Sequence, residues 1–220
     1  TTSVQNEVRR VCERGVCHLS LYALTLEPGT PMTRAVVQGK LLLPHEDHVA
    51  DQAEAIWDAA ESMGLKHYEI SNTAKIGHKA VHNSLYWHLR AYMGLGVGAH
   101  GLEPAKKDQD DPYGHRSYRK NQTHLPSYFD NPTSPLEEIA HQRDSWLRDL
   151  LLVRPRWLDG FSAHEFQQHC TEKEFRGLKT ELAQLKNMGL LEEEKQMLRL
   201  TRRGMLVSDS VISRLYDALI

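Results

Sequence analysis

The sequence has only three cysteines in 220 residues, Cys12, Cys17 and Cys170. A small, odd number argues against a disulfide framework and for a reducing compartment. Cys12 and Cys17 lie close together, but a zinc or iron–sulfur site needs three or four soft ligands, so the pair reads as buried thiols. Charge of one sign is also missing. Lys+Arg is 27 against Asp+Glu 29, a net charge of -2, which excludes a generally basic nucleic-acid binder and an acidic tail. Mean hydropathy is -0.54, and no run approaches the roughly 18 apolar residues of a membrane helix. No charged-then-apolar leader opens the chain, so no signal peptide is expected. The chain opens on Thr1, as a fragment or a processed product would.

What is present is ordinary globular material. Hydrophobic residues make up 40% and charged residues 25%, enough for a real core in one large domain or two small ones. Residues 5–13 read as a charged helix stopped by Gly15. Residues 17–24 read as a buried strand, 27–31 as a turn and 48–63 as a helix with Ile56, Ala59 and Ala60 along one side. Residues 67–71 read as a second short strand. Helix, strand, helix, strand predicts parallel strands with helical crossovers. Residues 73–81 read as loop, 82–89 as a short helix and 92–101 as a glycine-rich strand. Residues 102–130, with the charged run Lys106–Asp111, read as a long polar connection.

From Ser134 the character changes. Residues 136–152 predict a helix whose apolar face holds Ile139, Leu147, Leu150 and Leu151. Two further helices follow at 162–169 and 173–188, then two strands at 189–192 and 197–201, and a last helix from 201 to 219. Three helices and a two-strand wing form a winged-helix pattern, so the domains are set at 1–133 and 134–220.

Several residues carry chemistry. Gly94, Gly96 and Gly98 lack the G-x-G-x-x-G spacing of a nucleotide fingerprint. They either relieve crowding in a buried strand or make a flat floor beside a cofactor, with His100 at its end. On a helix at 82–89, His82 and Tyr86 share one face and Asn83 and Trp87 the next. Together they suit a large flat ligand, offering a nitrogen ligand, donors and a stacking surface. The plainer reading is a Trp anchoring the core beside a capping Asn. His78 and His82 have the spacing of two metal ligands on one turn, but no third ligand stands near. Most of the 13 histidines, among them His45, His48 and His124, read as solvated. Glu69 in an apolar strand needs a partner, either in a structural salt bridge or on a barrel interior.

His18–Pro31, Tyr68–Asn72, His82-Asn-Ser-Leu-Tyr-Trp87 and Gly94-Leu-Gly-Val-Gly-Ala-His-Gly101 stand in one order. Together they resemble the HemW branch of the oxygen-independent coproporphyrinogen III oxidase-like radical SAM proteins. The resemblance covers nearly the whole chain. It implies an α/β fold, the second half of a radical SAM partial (β/α)6 barrel followed by a small, mostly helical, winged-helix-like domain. It implies a haem-binding chaperone that delivers haem to target proteins, with His82 as leading haem contact and Asn83, Tyr86 and Trp87 in support. Gly94, Gly96, Gly98 and His100 would run close to the S-adenosyl-L-methionine site. The family's CxxxCxxC motif and its glycine-rich S-adenosyl-L-methionine motif are expected upstream of Thr1. Cys12, Cys17 and Cys170 do not replace the former by spacing. No metal ligand is therefore assigned in this chain, and the [4Fe–4S] cluster and S-adenosyl-L-methionine are assigned to the full-length parent. Such a cut implies an unpaired apolar edge at Leu19–Leu24.

The resemblance leaves two other readings. One is an oxygen-independent coproporphyrinogen III oxidase-like enzyme of porphyrin biosynthesis, so enzyme status stays open. The other is a winged-helix nucleic-acid module. Its recognition helix would carry Lys173, Arg176, Lys179 and Lys186 against Glu172, Glu174 and Glu181, a mixed face unsuited to tracking phosphates. The expected partners are haem or porphyrin and haem-accepting proteins, without nucleic acid and without a transmembrane segment, with dimerisation left open. The expected compartment is the cytoplasm, or the mitochondrion in a eukaryote.

Overall fold

The computed structural model of the chain describes residues 2–103, 117–132, 134–140 and 142–220. They cluster into two compact units, Thr1–Lys79 and Ala80–Ile220. The Lys106–Asp111 run lies outside the described residues.

In the first unit, helix α1 (Thr2–Glu13) turns Val8 and Cys12, one helical turn apart, onto the buried side of helix α3 (Glu46–Ser62). There they pack with Ala59, Ala60 and Leu65, and Leu19, Ile56 and Met63 close the rim. Gly15 and Gly64 follow the two helices with φ +88° and +81°, the left-handed cap that glycine adopts without strain. The turn expected at 27–31 is present, and a short helix α2 (Pro31–Val37) follows it in a stretch left unassigned. Thr30 caps it by accepting from Thr33 N–H, and Pro31 occupies its first turn, where a missing N–H costs nothing.

The strands depart most from expectation. β1 (His18–Ser20), β2 (Lys66–His67) and β3 (Asn72–Ala74) form a sheet in the order β1-β3-β2. Both pairings are antiparallel, with Leu19 opposite Thr73 and His67 opposite Thr73. The predicted parallel arrangement is corrected. Only a short loop separates β2 from β3, which allows a hairpin and not a crossover. The predicted strand 17–24 ends at Ser20 because its partner runs out. Leu21 N–H still donates to Ser71 O, but Tyr22 and Leu24 stand in water at 73% and 69% exposure. The predicted strand 67–71 is mostly the connecting loop. In it Tyr68 and Glu69 are buried, and the Glu69 carboxylate accepts from Ser71 N–H. Cys12 is buried as expected, whereas Cys17 and Cys170 are only half-buried.

The second unit opens with helix α4 (Val81–Trp87), followed by a three-stranded antiparallel sheet of β4 (His100–Leu102), β5 (Ser117–Lys120) and β6 (Glu137–Ala140). A further bridge joins Tyr92 to Leu102. Helix α5 (Leu125–Asp130) follows β5. Residues 137–140 were expected to be helical, and Ile139 was placed on an apolar face. They are strand, and Ile139 is 53% exposed. Arg119 opposite Glu138 and Lys120 opposite Glu137 are cross-strand charge pairs that favour this register. Helix α6 (Arg143–Val153) begins only where Gln142 and Ser145 form a reciprocal capping box, as at other helix starts.

Helix α6 then buries Trp146, Leu147, Leu150 and Leu151. Helix α7 (Ala163–Gln167) buries Phe166, and helix α8 (Glu172–Asn187) buries Leu178, Leu182 and Leu185. Strands β7 (Leu191–Glu194) and β8 (Met197–Leu200) form a two-stranded ribbon. Lys195 and Gln196 turn it at φ +51° and +65°, the positive angles of a two-residue hairpin loop. The predicted last helix is two, α9 (Arg202–Leu206) and α10 (Ser208–Asp217), broken at Val207. Val211, Ile212 and Leu215 are buried on one side of α10. The sequence boundary at residue 134 falls inside this unit, between β5 and the β6 that pairs with it. No described helix is long and apolar enough to cross a membrane.

Candidate functional site

Helix α4 places His82 and Tyr86 one turn apart on an exposed side, and the Tyr86 hydroxyl lies 2.5 Å from His82 Nε2. Their rings meet edge-on at 5.0 Å. Tyr92 completes the cluster, 4.5 Å from the Tyr86 ring and 6.1 Å from His82. Two backbone bonds with Leu102, each 2.9 Å, hold Tyr92 against the sheet edge. Burial raises the Tyr92 pKa, and Tyr86 and Asp149 push it the same way, so the phenol stays protonated as a donor.

These three rings open on a cavity of about 550 Å³ that Met93, Gly94, Leu95, Ala99 and His100 also line. That volume lies within the roughly 300–1,000 Å³ of small-molecule sites. Met93 and Leu95 stand 78% and 80% exposed beside two imidazoles. A large apolar ligand would cover them, and a neutral imidazole nitrogen is a natural iron ligand. The donor set thus fits haem.

The predicted glycine strand is corrected. Only His100–Leu102 is strand, and residues 94–99 form a loop. Gly96 and Gly98 adopt φ +98° and +69°, outside extended backbone. A Cβ on Gly94 would sit 2.3 Å from the His100 carbonyl oxygen, so the chain folds back on itself there. Asn121 Nδ2 donates to the Gly94 and Gly96 carbonyls, and Gly96 N–H donates to the Tyr128 hydroxyl. A second cavity of about 720 Å³ lies beside Tyr92–Leu95. It contains Asn121, Tyr128 and the Arg119–Glu103 ion pair at 3.2 Å.

The structure therefore brings His82, Tyr86, Gly94 and His100 together. Asn83, Trp87, Gly96 and Gly98 do not line the cavity. Asn83 and Trp87 are half-buried, and Trp87 Nε1 is buried with no hydrogen-bond partner among the described residues. Tyr92, Asn121 and Tyr128 were missed. Tyr92 was legible as the aromatic that opens the glycine segment. Asn121 and Tyr128 sat in a stretch read as featureless connection.

No group of three or more His, Cys, Asp or Glu among the described residues could hold a metal ion. The cysteines do not fit a [4Fe–4S] cluster either. Cys12, Cys17 and Cys170 form no such group with one another, and a cluster needs three or four soft ligands together.

No family model matches the sequence. It is 28% identical over 215 residues to a Lactococcus lactis protein named heme chaperone HemW, covering 96% of this chain and 53% of that one. It is 29% identical over 219 residues to the Bos taurus mitochondrial radical S-adenosyl methionine domain-containing protein 1, covering 91% and 47%. The chain therefore has homologues named HemW and radical S-adenosyl methionine domain-containing protein 1. It spans about half the length of these relatives. Over 84 residues its identity to the Bacillus subtilis HemW rises to 40%, covering 38% of this chain and 22% of that one. The fold matches Escherichia coli HemN, titled a coproporphyrinogen III oxidase and radical SAM enzyme. The TM-score is 0.65 at 16% identity over 94% of this chain and 50% of that one. The chain thus has a mixed α/β fold like that of HemN.

Proposed function

We propose that this chain is the haem-holding portion of a radical SAM-class haem chaperone. The observation that carries the reading is the joint opening of His82, Tyr86 and Tyr92, with Gly94 and His100, on one cavity edged by exposed apolar side chains. Its relation to proteins named heme chaperone supports it. In this reading His82 ligates haem iron and Tyr86 orients the imidazole through its hydroxyl. Asn83 and Trp87 brace the helix from its inner side. Gly94, Gly96, Gly98 and His100 form the floor, and the longer parent contributes the [4Fe–4S] cluster and S-adenosyl-L-methionine. In this reading residues 1–133 hold the barrel half and residues 134–220 a winged-helix-like domain whose wing is β7–β8, with β6 pairing back onto β5 across that boundary.

Delivery of haem to acceptor proteins, in the cytoplasm or a mitochondrion, completes the proposal. The nucleic-acid alternative is disfavoured because α8 mixes both signs and four of its seven charges are engaged within the unit. Glu174 pairs with Arg143, Glu181 with Arg214 and Lys186 with Glu193, while Lys173 donates to the Ile220 carbonyl.

Titrating the chain with haemin while following the Soret band tests the reading. One haemin per chain is expected, and His82→Ala should weaken binding about tenfold or more and shift the band. An unchanged stoichiometry and spectrum in His82→Ala would remove His82 from the site. The HemN-like fold keeps an oxidase in view for the full-length parent. Formation of protoporphyrinogen IX from coproporphyrinogen III by that parent, its cluster reconstituted, would replace the chaperone reading.

A further inference from the structure

The wall of the His82 cavity has no hydrophobic anchor of its own. Leu95 is 80% exposed and Val97 39% exposed, so burial does not hold the 94–99 loop in shape. Glycine at 94, 96 and 98 leaves it many backbone conformations. What holds it is one polar segment downstream. Asn121, only 6% exposed, donates from its side-chain amide to Gly94 O at 3.0 Å and Gly96 O at 2.9 Å. Its backbone N–H donates to Ala99 O at 2.9 Å, and Gly98 N–H donates to Gln122 O at 2.8 Å. The Tyr128 hydroxyl accepts from Gly96 N–H at 3.2 Å. An asparagine amide has two donors on one nitrogen, so it can clamp two carbonyls of one loop at once. A serine has one donor and an aspartate none.

We propose that Asn121, assisted by Tyr128, is the positioning residue of the His82 cavity. It does not line that cavity. It acts through the loop, setting where Gly94, Leu95 and Ala99 stand opposite His82 and so how well a flat ligand fits. The proposal rests on reading this cavity as the haem site. Loop order and haemin affinity should therefore fall together when the clamp is removed, with the helical part of the unit unchanged.

The test uses the 220-residue chain with Asn121→Ser and Tyr128→Phe, read by amide hydrogen exchange and by haemin titration at the Soret band. In Asn121→Ser, exchange of the Gly96 and Gly98 amides should accelerate about tenfold and the haemin dissociation constant should rise about tenfold, as expected for loss of buried hydrogen bonds. Tyr128→Phe should give about a threefold rise, and it carries the test if Asn121→Ser does not fold. Protection of the Leu178–Leu185 amides should stay unchanged in both. Unaltered loop exchange, or faster exchange with unaltered haemin affinity, overturns the proposal. Failure of the unsubstituted chain to bind haemin sinks the His82 reading first, and the role of Asn121 with it.

Discussion

Arg143 and Glu174 show how a single pair ties two helices. The guanidinium reaches the carboxylate through both nitrogens, at 2.7 and 3.1 Å. Glu174 also accepts from Thr171 N–H at 2.6 Å as the third residue of the α8 capping box. The Arg143 bonds, with the help of Thr171, hold the Glu174 carboxyl near 2 against an ordinary 4.5. A carboxyl with a lower pKa in the folded chain stabilises the fold above its unfolded pKa. That stability is lost as pH falls from about 4.5 to about 2. Glu174→Gln should lower unfolding free energy at pH 7 by about 1–2 kcal/mol and flatten the acid limb of the stability profile. Urea titrations from pH 7 to 2 check this, and an unchanged limb in the variant would refute it. Thr171 and Glu174 have capping-box spacing, but nothing local points to Arg143 as the partner. In the same way, the spacing of His82 and Tyr86 was legible, but their meeting with Tyr92 was not.

At the scale of elements, helices were easier to read than strands. Leu178, Leu182 and Leu185 recur at helical spacing, and α8 buries all three. Leu185→Ala should therefore cost about 2–5 kcal/mol of unfolding free energy. Ile139→Ala should cost less than about 1 kcal/mol, because that side chain sits on a strand and faces water. Denaturant unfolding of both variants checks the pair. A large loss from Ile139→Ala would restore Ile139 to a helical core face and contradict β6. The misreading has a simple origin. Leu136 to Leu152 has enough apolar periodicity for a helix, but Arg119 and Lys120 lie opposite Glu138 and Glu137 and draw residues 137–140 into the sheet.

For the whole molecule, the two units differ in how much apolar surface they hide. The first has a small core around Val8, Ala59, Ala60 and Leu65 and leaves Tyr22, Leu24, Val37, Leu42 and Ile76 each more than two-thirds exposed. The second leaves Val81, Met93, Leu95, Phe129 and Ile220 as exposed, but it buries several apolar residues from each of α6, α8 and α10. Exposed large apolar groups promote association, and regions with few buried contacts open more easily. Amides in His18–Ala74 should therefore exchange faster than those in Leu147–Leu215, and light scattering should detect self-association as concentration rises. Equal protection across both units in a monodisperse monomer would show that the first is as stable as the second.

The sequence by itself determined the longer helices α1, α3 and α8 and the spacing that pairs His82 with Tyr86, because helical periodicity and i,i+4 proximity act within a few residues. It also determined, through its resemblance to HemW proteins, where to look for the site. Only the tertiary structure decided the antiparallel pairing of β1, β2 and β3, the end of the first strand at Ser20 and the folding back of the glycine segment. The clamp from Asn121 belongs with these. Each depends on a partner far along the chain, and a backbone group's choice between neighbour, distant strand and side-chain amide is settled only when the competing partners are brought together.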